Sequence, residues 1–156
     1  EESVFIVDLL ILGNSRHVAA LDAALAPMLG CRETIKLGQS FDADLRQLRA
    51  GFPAIRAFRK VEGVVELNAL HFHCHGGGGR GAGHGTWKRD MVGLAPLTAI
   101  YLGRRLSKGE QVSSWGARPL REKQLRYASL DVLVMLHLYD AMRLKIGEWH
   151  LLESAR

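Results

Sequence analysis

The chain has 156 residues, of which 47% are hydrophobic and 24% charged, an ordinary balance for one soluble globular domain with a sizeable core. Its net charge of +5 and its pI of about 9.6 permit a polyanionic partner without requiring one. Two cysteines, Cys31 and Cys74, exclude a disulfide framework and make a reducing, intracellular compartment (cytoplasm or nucleus) the default.

The first apolar run, Val4 to Leu12, is broken by Asp8 and too short to span a bilayer. Glu1 and Glu2 precede it in place of a basic segment, so it is not a signal peptide, and no membrane association is expected. Its β-branched and large apolar residues, stopped by Gly13-Asn14-Ser15, predict a buried strand. A chain that opens on Glu and on a buried strand is expected to be excised from something longer.

Ser15 is placed to cap a helix over about 16–29, with Val18, Leu21, Ala24, Leu25, Met28 and Leu29 as its apolar stripe and Gly30 as its end. A short strand is expected at Glu33 to Leu37, then a helix over about 41–50, ended by Gly51 and Pro53. Strand, helix, strand, helix suggests an α/β sandwich with some parallel pairing. Val61 to Leu67 is compatible with a strand or an irregular helical entry. His71 to Asp90 reads as a Gly-rich mobile insertion, because it has too little apolar surface to offset its ordering entropy. A helix is expected from Gly93 to Leu102, closed by Gly103, and a polar connection follows. A long helix then starts near Pro119 and runs to about Ile146, with Gly147 as its stop.

Two residues of that long helix look out of place. Tyr127 and Asp131 are four apart and share one face. From Val132 to Leu138 the helix is apolar nearly all round, which predicts burial. A carboxylate at the mouth of a buried helix is costly unless it is paired or holds a metal. Asp44 is the second carboxylate of interest: Leu45 and Leu48 beside it face a core, so it is expected to border the buried side. Two such carboxylates with a tyrosine beside one suggest a site for hard divalent cations, although the same three residue types occur in almost any domain.

The order and spacing of the surrounding residues is more specific. Gly93-Leu-Ala-Pro-Leu, Tyr101-Leu-Gly103, Ser113-x-Trp115, Arg118-Pro-Leu120, Gln124 and Tyr127-x3-Asp131 closely resemble the third motif region of DEDDy-type 3′–5′ exonucleases. That superfamily holds RNase D and the Werner-type exonucleases, and the likeness is greatest to its Nibbler-like (mutator-type) branch. Lys36 to Leu48, with Phe52-Pro53 after it, resembles the second motif region and aligns the family's aspartate with Asp44.

The resemblance implies an RNase H-like α/β fold, a mixed sheet flanked by helices, as a single domain over residues 1–156. It implies hydrolysis of 3′-terminal phosphodiesters of single-stranded RNA or DNA, RNA being favoured, with two Mg²⁺ or Mn²⁺ ions. On this alignment Asp131 binds metal directly, Asp44 binds it mainly through water, and Tyr127 orients the attacking water. Lys108, Arg118 and Arg121 are either a solvated surface or sequence-blind phosphate contacts. Trp115 is either a packing anchor or a base-stacking platform.

The family's first motif, Asp-x-Glu, has no counterpart: Asp8 is the sole early candidate, and Leu10 stands where Glu is needed. The 156 residues are therefore expected to start downstream of that motif, to lack two of its four carboxylates, and to be inactive or nearly so alone. The alternatives are a non-catalytic nucleic-acid-binding or scaffold version of the fold, or a poorly folding fragment. His71, His73, Cys74, His75 and His84 match no standard zinc spacing, and no Gly-Lys-Ser/Thr follows the Gly run to make a phosphate loop.

Overall fold

A computed structural model describes residues 3–75 and 91–154. They form two compact units, Glu1–Val65 and Glu66–Arg156.

In the first unit, helix α1 (Leu9–Leu12) is one short turn, and Asp8 caps it by accepting a hydrogen bond from the Ile11 N–H at 3.2 Å. The strand expected here does not form. Residues 3–8 have no regular structure, and Phe5, Ile6, Val7, Leu10 and Ile11 are exposed. An apolar, β-branched run becomes a strand only beside another strand, and the one sheet among the described residues pairs other segments. Helix α2 (Val18–Gly30) starts two residues later than expected, with His17 at its N-cap. Ser15 instead accepts the His17 N–H through Oγ at 3.1 Å.

Strand β1 (Lys36–Gly38) pairs with β2 (Val64–Glu66). Gly63 leads into β2 at φ 68°, and a Cβ there would lie 2.6 Å from the Arg32 carbonyl oxygen and 2.7 Å from that of Thr34. Such a close approach of two backbones, at a left-handed φ, needs glycine. Helix α3 (Phe41–Gly51) follows β1, and a 3₁₀ turn (Arg56–Arg59) runs back to α2, where Asp22 Oδ1 accepts the Ala57 N–H at 2.7 Å. Leu45, Ile55, Ala57 and Phe58 form the core of this unit, with Val18, Leu21, Leu25 and Leu29 of α2 packed on it.

The second unit is helical. Helix α4 (Leu67–Cys74) and helix α5 (Leu94–Leu102) both pack on the long helix α6 (Glu122–Ser154). Leu67, Cys74, Leu97, Leu138 and Met142 make its core. Gly103 at φ 61° ends α5 and donates its N–H to the Thr98 carbonyl, so glycine is the stop the sequence promised. His71 to His75, expected within the Gly-rich insertion, instead close α4; the rest of that expected insertion, residues 76–90, lies outside the described residues.

Helix α6 departs from expectation at both ends. It starts at Glu122 rather than beside Pro119, which follows a cis peptide bond. It continues through Gly147, since one glycine costs a helix only about 1 kcal/mol. Nor is it buried all round: Val134, Leu138 and Met142 face the core, whereas Leu125, Val132 and Leu136 are 39–45% exposed. No helix among the described residues is long and apolar enough to cross a membrane.

Candidate active site

The site is built at the start of α6 from one side of the helix and the loop that precedes it. Glu122 is the first helical residue, so Arg121 is the N-cap and Gln124 the third residue of the first turn. Gln124 reaches back and accepts the Arg121 N–H through Oε1 at 2.9 Å, which is half of a capping box. Its Nε2 donates to Ser113 Oγ at 3.0 Å and to the Ser114 carbonyl at 3.3 Å. Gln124 is only 1% exposed, so its amide has these protein partners in place of water.

The loop so held carries Trp115. Its indole Nε1 donates to the Glu110 carbonyl at 3.0 Å, and its ring lies 6.1 Å from that of Tyr127, tilted by 55°. Arg118 folds back on the same loop and donates from Nη1 to the Trp115 and Ala117 carbonyls, each at 2.8 Å. Arg121 makes a salt bridge to Glu110 Oε2 at 2.6 Å. Lys108 is exposed.

One turn after the Trp115 contact, Tyr127 and Asp131 interact. Burial pushes the Asp131 carboxyl above the ordinary carboxylate range, and a hydrogen bond from the Tyr127 hydroxyl partly offsets this. The Tyr127 phenol is itself raised, first by burial and then by the Asp131 charge and the hydrogen bond to it. Tyr127 therefore stays protonated near neutral pH and serves as a donor rather than a base. Asp131 Oδ1 is buried with no hydrogen-bond partner. A desolvated carboxylate oxygen with unused lone pairs suits a hard cation. It is one ligand, however: no group of three or more His, Cys, Asp or Glu able to hold a metal occurs among the described residues.

Asp44 belongs to the other unit. It lies in the first turn of α3, where its N–H reaches the Ser40 carbonyl at 3.4 Å, and it is exposed. The expectation that it borders the buried side does not hold: Leu45 turns to the core and Asp44, one residue earlier on the helix, turns out. Among the histidines, His71 Nδ1 is 2.9 Å from the Tyr101 hydroxyl, a contact between α4 and α5. Burial and the neighbouring His75 and Lys145 lower its pKa.

Sequence reasoning singled out Tyr127, Asp131, Trp115 and the nearby cations, but it missed Gln124 as the residue that joins the loop to the helix, and Glu110 as the partner of Arg121. The signal for Gln124 was present as a glutamine three residues after a helix N-cap.

Known proteins resemble this chain. A family model described as 3′-5′ exonuclease, DNA_pol_A_exo1, matches residues 1–147. A human protein named exonuclease mut-7 homolog is 29% identical over 158 aligned positions, which cover 99% of this chain and 18% of that protein. A ribonuclease D from Shewanella is 41% identical over 66 positions, 42% of this chain and 16% of its own length. The chain thus spans under a fifth of either relative. The crystal structure of the Aedes aegypti Nibbler EXO domain superposes with a TM-score of 0.67 at 26% identity, covering 81% of this chain and 60% of that one. The fold is accordingly of the RNase H-like class of exonuclease domains, with β1–β2 as the sheet among the described residues.

Proposed function

We propose, from the premise that this chain belongs to the 3′–5′ exonuclease family, that it contributes to removing nucleotides from the 3′ end of single-stranded nucleic acid, RNA in particular. The observation that carries this is the Tyr127–Asp131 pair, a half-buried carboxylate whose buried Oδ1 has no partner beside a phenol held protonated. Asp131 would hold a Mg²⁺ or Mn²⁺ ion directly, and Asp44, within its own unit, is proposed separately as a ligand acting mainly through water. Bound divalent ions in such a site activate water and stabilise the leaving oxygen of a phosphodiester. Tyr127 offers a hydroxyl one turn from Asp131 that orients the attacking water.

The surroundings suit a phosphate backbone. Residues 104–126 hold seven Arg or Lys against two Glu, and both Glu are engaged, Glu110 with Arg121 and Glu122 with Arg126. Exposed Lys108 would meet phosphates by charge alone, without reading sequence. Arg118 and Arg121, which also shape the loop, would add to that field.

No Asp-x-Glu triplet occurs in the 156 residues. We therefore propose that this chain alone is inactive or nearly so, and that it carries the second and third motif regions of one exonuclease domain without the first. The same observation favours a second reading, a non-catalytic nucleic-acid-binding or scaffold version of the fold.

Mn²⁺ titration followed by nuclear magnetic resonance separates the two. The first predicts paramagnetic broadening centred on residues 127–131 that disappears in Asp131→Ala. Broadening that is absent, or that survives Asp131→Ala unchanged, would leave the scaffold reading.

A further inference from the structure

A phenol that orients a water beside Asp131 must itself be fixed in place. Four observations converge on one residue. Gln124 is fully polar yet almost wholly buried. Each of its side-chain heteroatoms is engaged, Oε1 by the helix N-cap and Nε2 by Ser113 and Ser114. The segment it grips carries Trp115, whose ring faces Tyr127 and whose own N–H is tied to Glu110. Tyr127 in turn interacts with Asp131.

We propose that Gln124 is a positioning residue of the candidate active site: its buried amide clamps the Ser113–Trp115 loop to the first turn of α6, so that Trp115 covers Tyr127 and holds the phenol against Asp131. This rests on the proposed role of the Tyr127–Asp131 pair. A glutamine is needed because the clamp requires an acceptor and a donor on one planar group. The acceptor faces a backbone N–H, and the donor faces a hydroxyl and a carbonyl. Burial makes the choice strict, since an unpaired polar atom there loses its water without gaining a partner. Trp115 is thereby held at a fixed angle: with its indole N–H bonded to the Glu110 carbonyl at one edge, the ring keeps its tilted contact with Tyr127.

Glutamate at this position has nearly the same shape, and its donor can be switched by pH. As a carboxylate it still accepts the Arg121 N–H but cannot donate to the Ser114 carbonyl; as a carboxylic acid its O–H can. The test is therefore Gln124→Glu and Gln124→Ala in the 156-residue chain. It is read by nuclear Overhauser contacts between the Trp115 and Tyr127 rings. In the parent chain the ring contact should be present. In Gln124→Ala it should be lost while the contacts among α4, α5 and α6 remain. In Gln124→Glu it should be lost at neutral pH and regained on acidification, a reversal that a residue serving only to fill space would not show.

A Trp115–Tyr127 contact unchanged in Gln124→Ala would overturn the proposal. So would a Gln124→Glu contact that does not respond to pH, or loss of the contact only together with the whole α4–α6 core. These readouts need no nuclease activity. If Mn²⁺ fails to broaden residues 127–131 while Gln124→Glu still switches the ring contact, the metal role fails and the clamp stands.

Discussion

At the scale of residues, Asp131 is set apart by the cost of its burial. Its carboxyl is raised by burial, so the folded chain binds that proton more tightly than the unfolded chain does. Between the ordinary carboxylate pKa and the raised one, the folded state holds more protons, and stability falls as pH rises through that window. The ionised residue is thus a destabilising element at neutral pH when no cation is bound. Asp131→Asn should raise the metal-free melting temperature at pH 7 and show little effect at a pH below the ordinary carboxylate range, by thermal scans at both. A melting temperature lowered by the substitution at pH 7 would mean that Asp131 already has a stabilising partner. Tyr127→Phe should keep the ring packing on Trp115 but lose the donor to Asp131. In an active, longer enzyme that contains this domain, it should lower kcat by about 10²-fold, the order expected when a reacting group loses its orientation, with a smaller change in KM.

At the scale of elements, the two faces of α6 make opposite forecasts. Leu138 is wholly buried among α4, α5 and α6, so Leu138→Ala should cost about 2–5 kcal/mol in urea unfolding. Leu136, two residues away and 40% exposed, should cost well under half of that when changed to Ala. Equal losses would mean that the exposed stripe is covered in solution. In the first unit, Gly63→Ala should destabilise the β1–β2 pair by more than the roughly 1–2 kcal/mol that a left-handed φ alone imposes, because its Cβ meets two carbonyl oxygens. Amide hydrogen exchange at Lys36, whose N–H bonds the Gly63 carbonyl, would report it.

Much of this scale was legible in the sequence, because helix signals are local. The Val18–Leu29 stripe, the glycine closing α5, and the i, i+4 spacing of Tyr127 and Asp131 each depend on residues within a few turns. The failures were of a different kind. The apolar run at Val4 to Leu12 read as a strand, but pairing is a non-local property. The apolar half of α6 read as buried, but burial depends on what packs against each face. Asp44 was placed near a core from its neighbours Leu45 and Leu48, yet one residue of helix rotation, about 100°, carries it into solvent. Gln124 was noticed as part of a motif and not as a clamp, since its partners at 113 and 114 come from a loop whose path no local rule gives.

At the scale of the whole molecule, charge and site chemistry point the same way: a basic chain, a basic segment ahead of α6, and a carboxylate suited to a divalent cation. If phosphates are met by charge, the affinity of the chain for a single-stranded oligoribonucleotide should fall linearly on a log–log plot against salt. Lys108→Ala should reduce that slope by about 0.7, the share of one phosphate contact on a single strand, equally for all sequences. The central claim is that Asp131 and Tyr127 belong to a metal-dependent 3′–5′ exonuclease centre that this chain holds in part. A 5′-labelled single-stranded RNA in Mn²⁺ tests it, offered to the 156-residue chain, to the same chain preceded by a strand supplying Asp-x-Glu, and to that longer chain carrying Asp131→Ala. The account predicts stepwise shortening from the 3′ end by the longer chain alone. Shortening that persists in Asp131→Ala would contradict it.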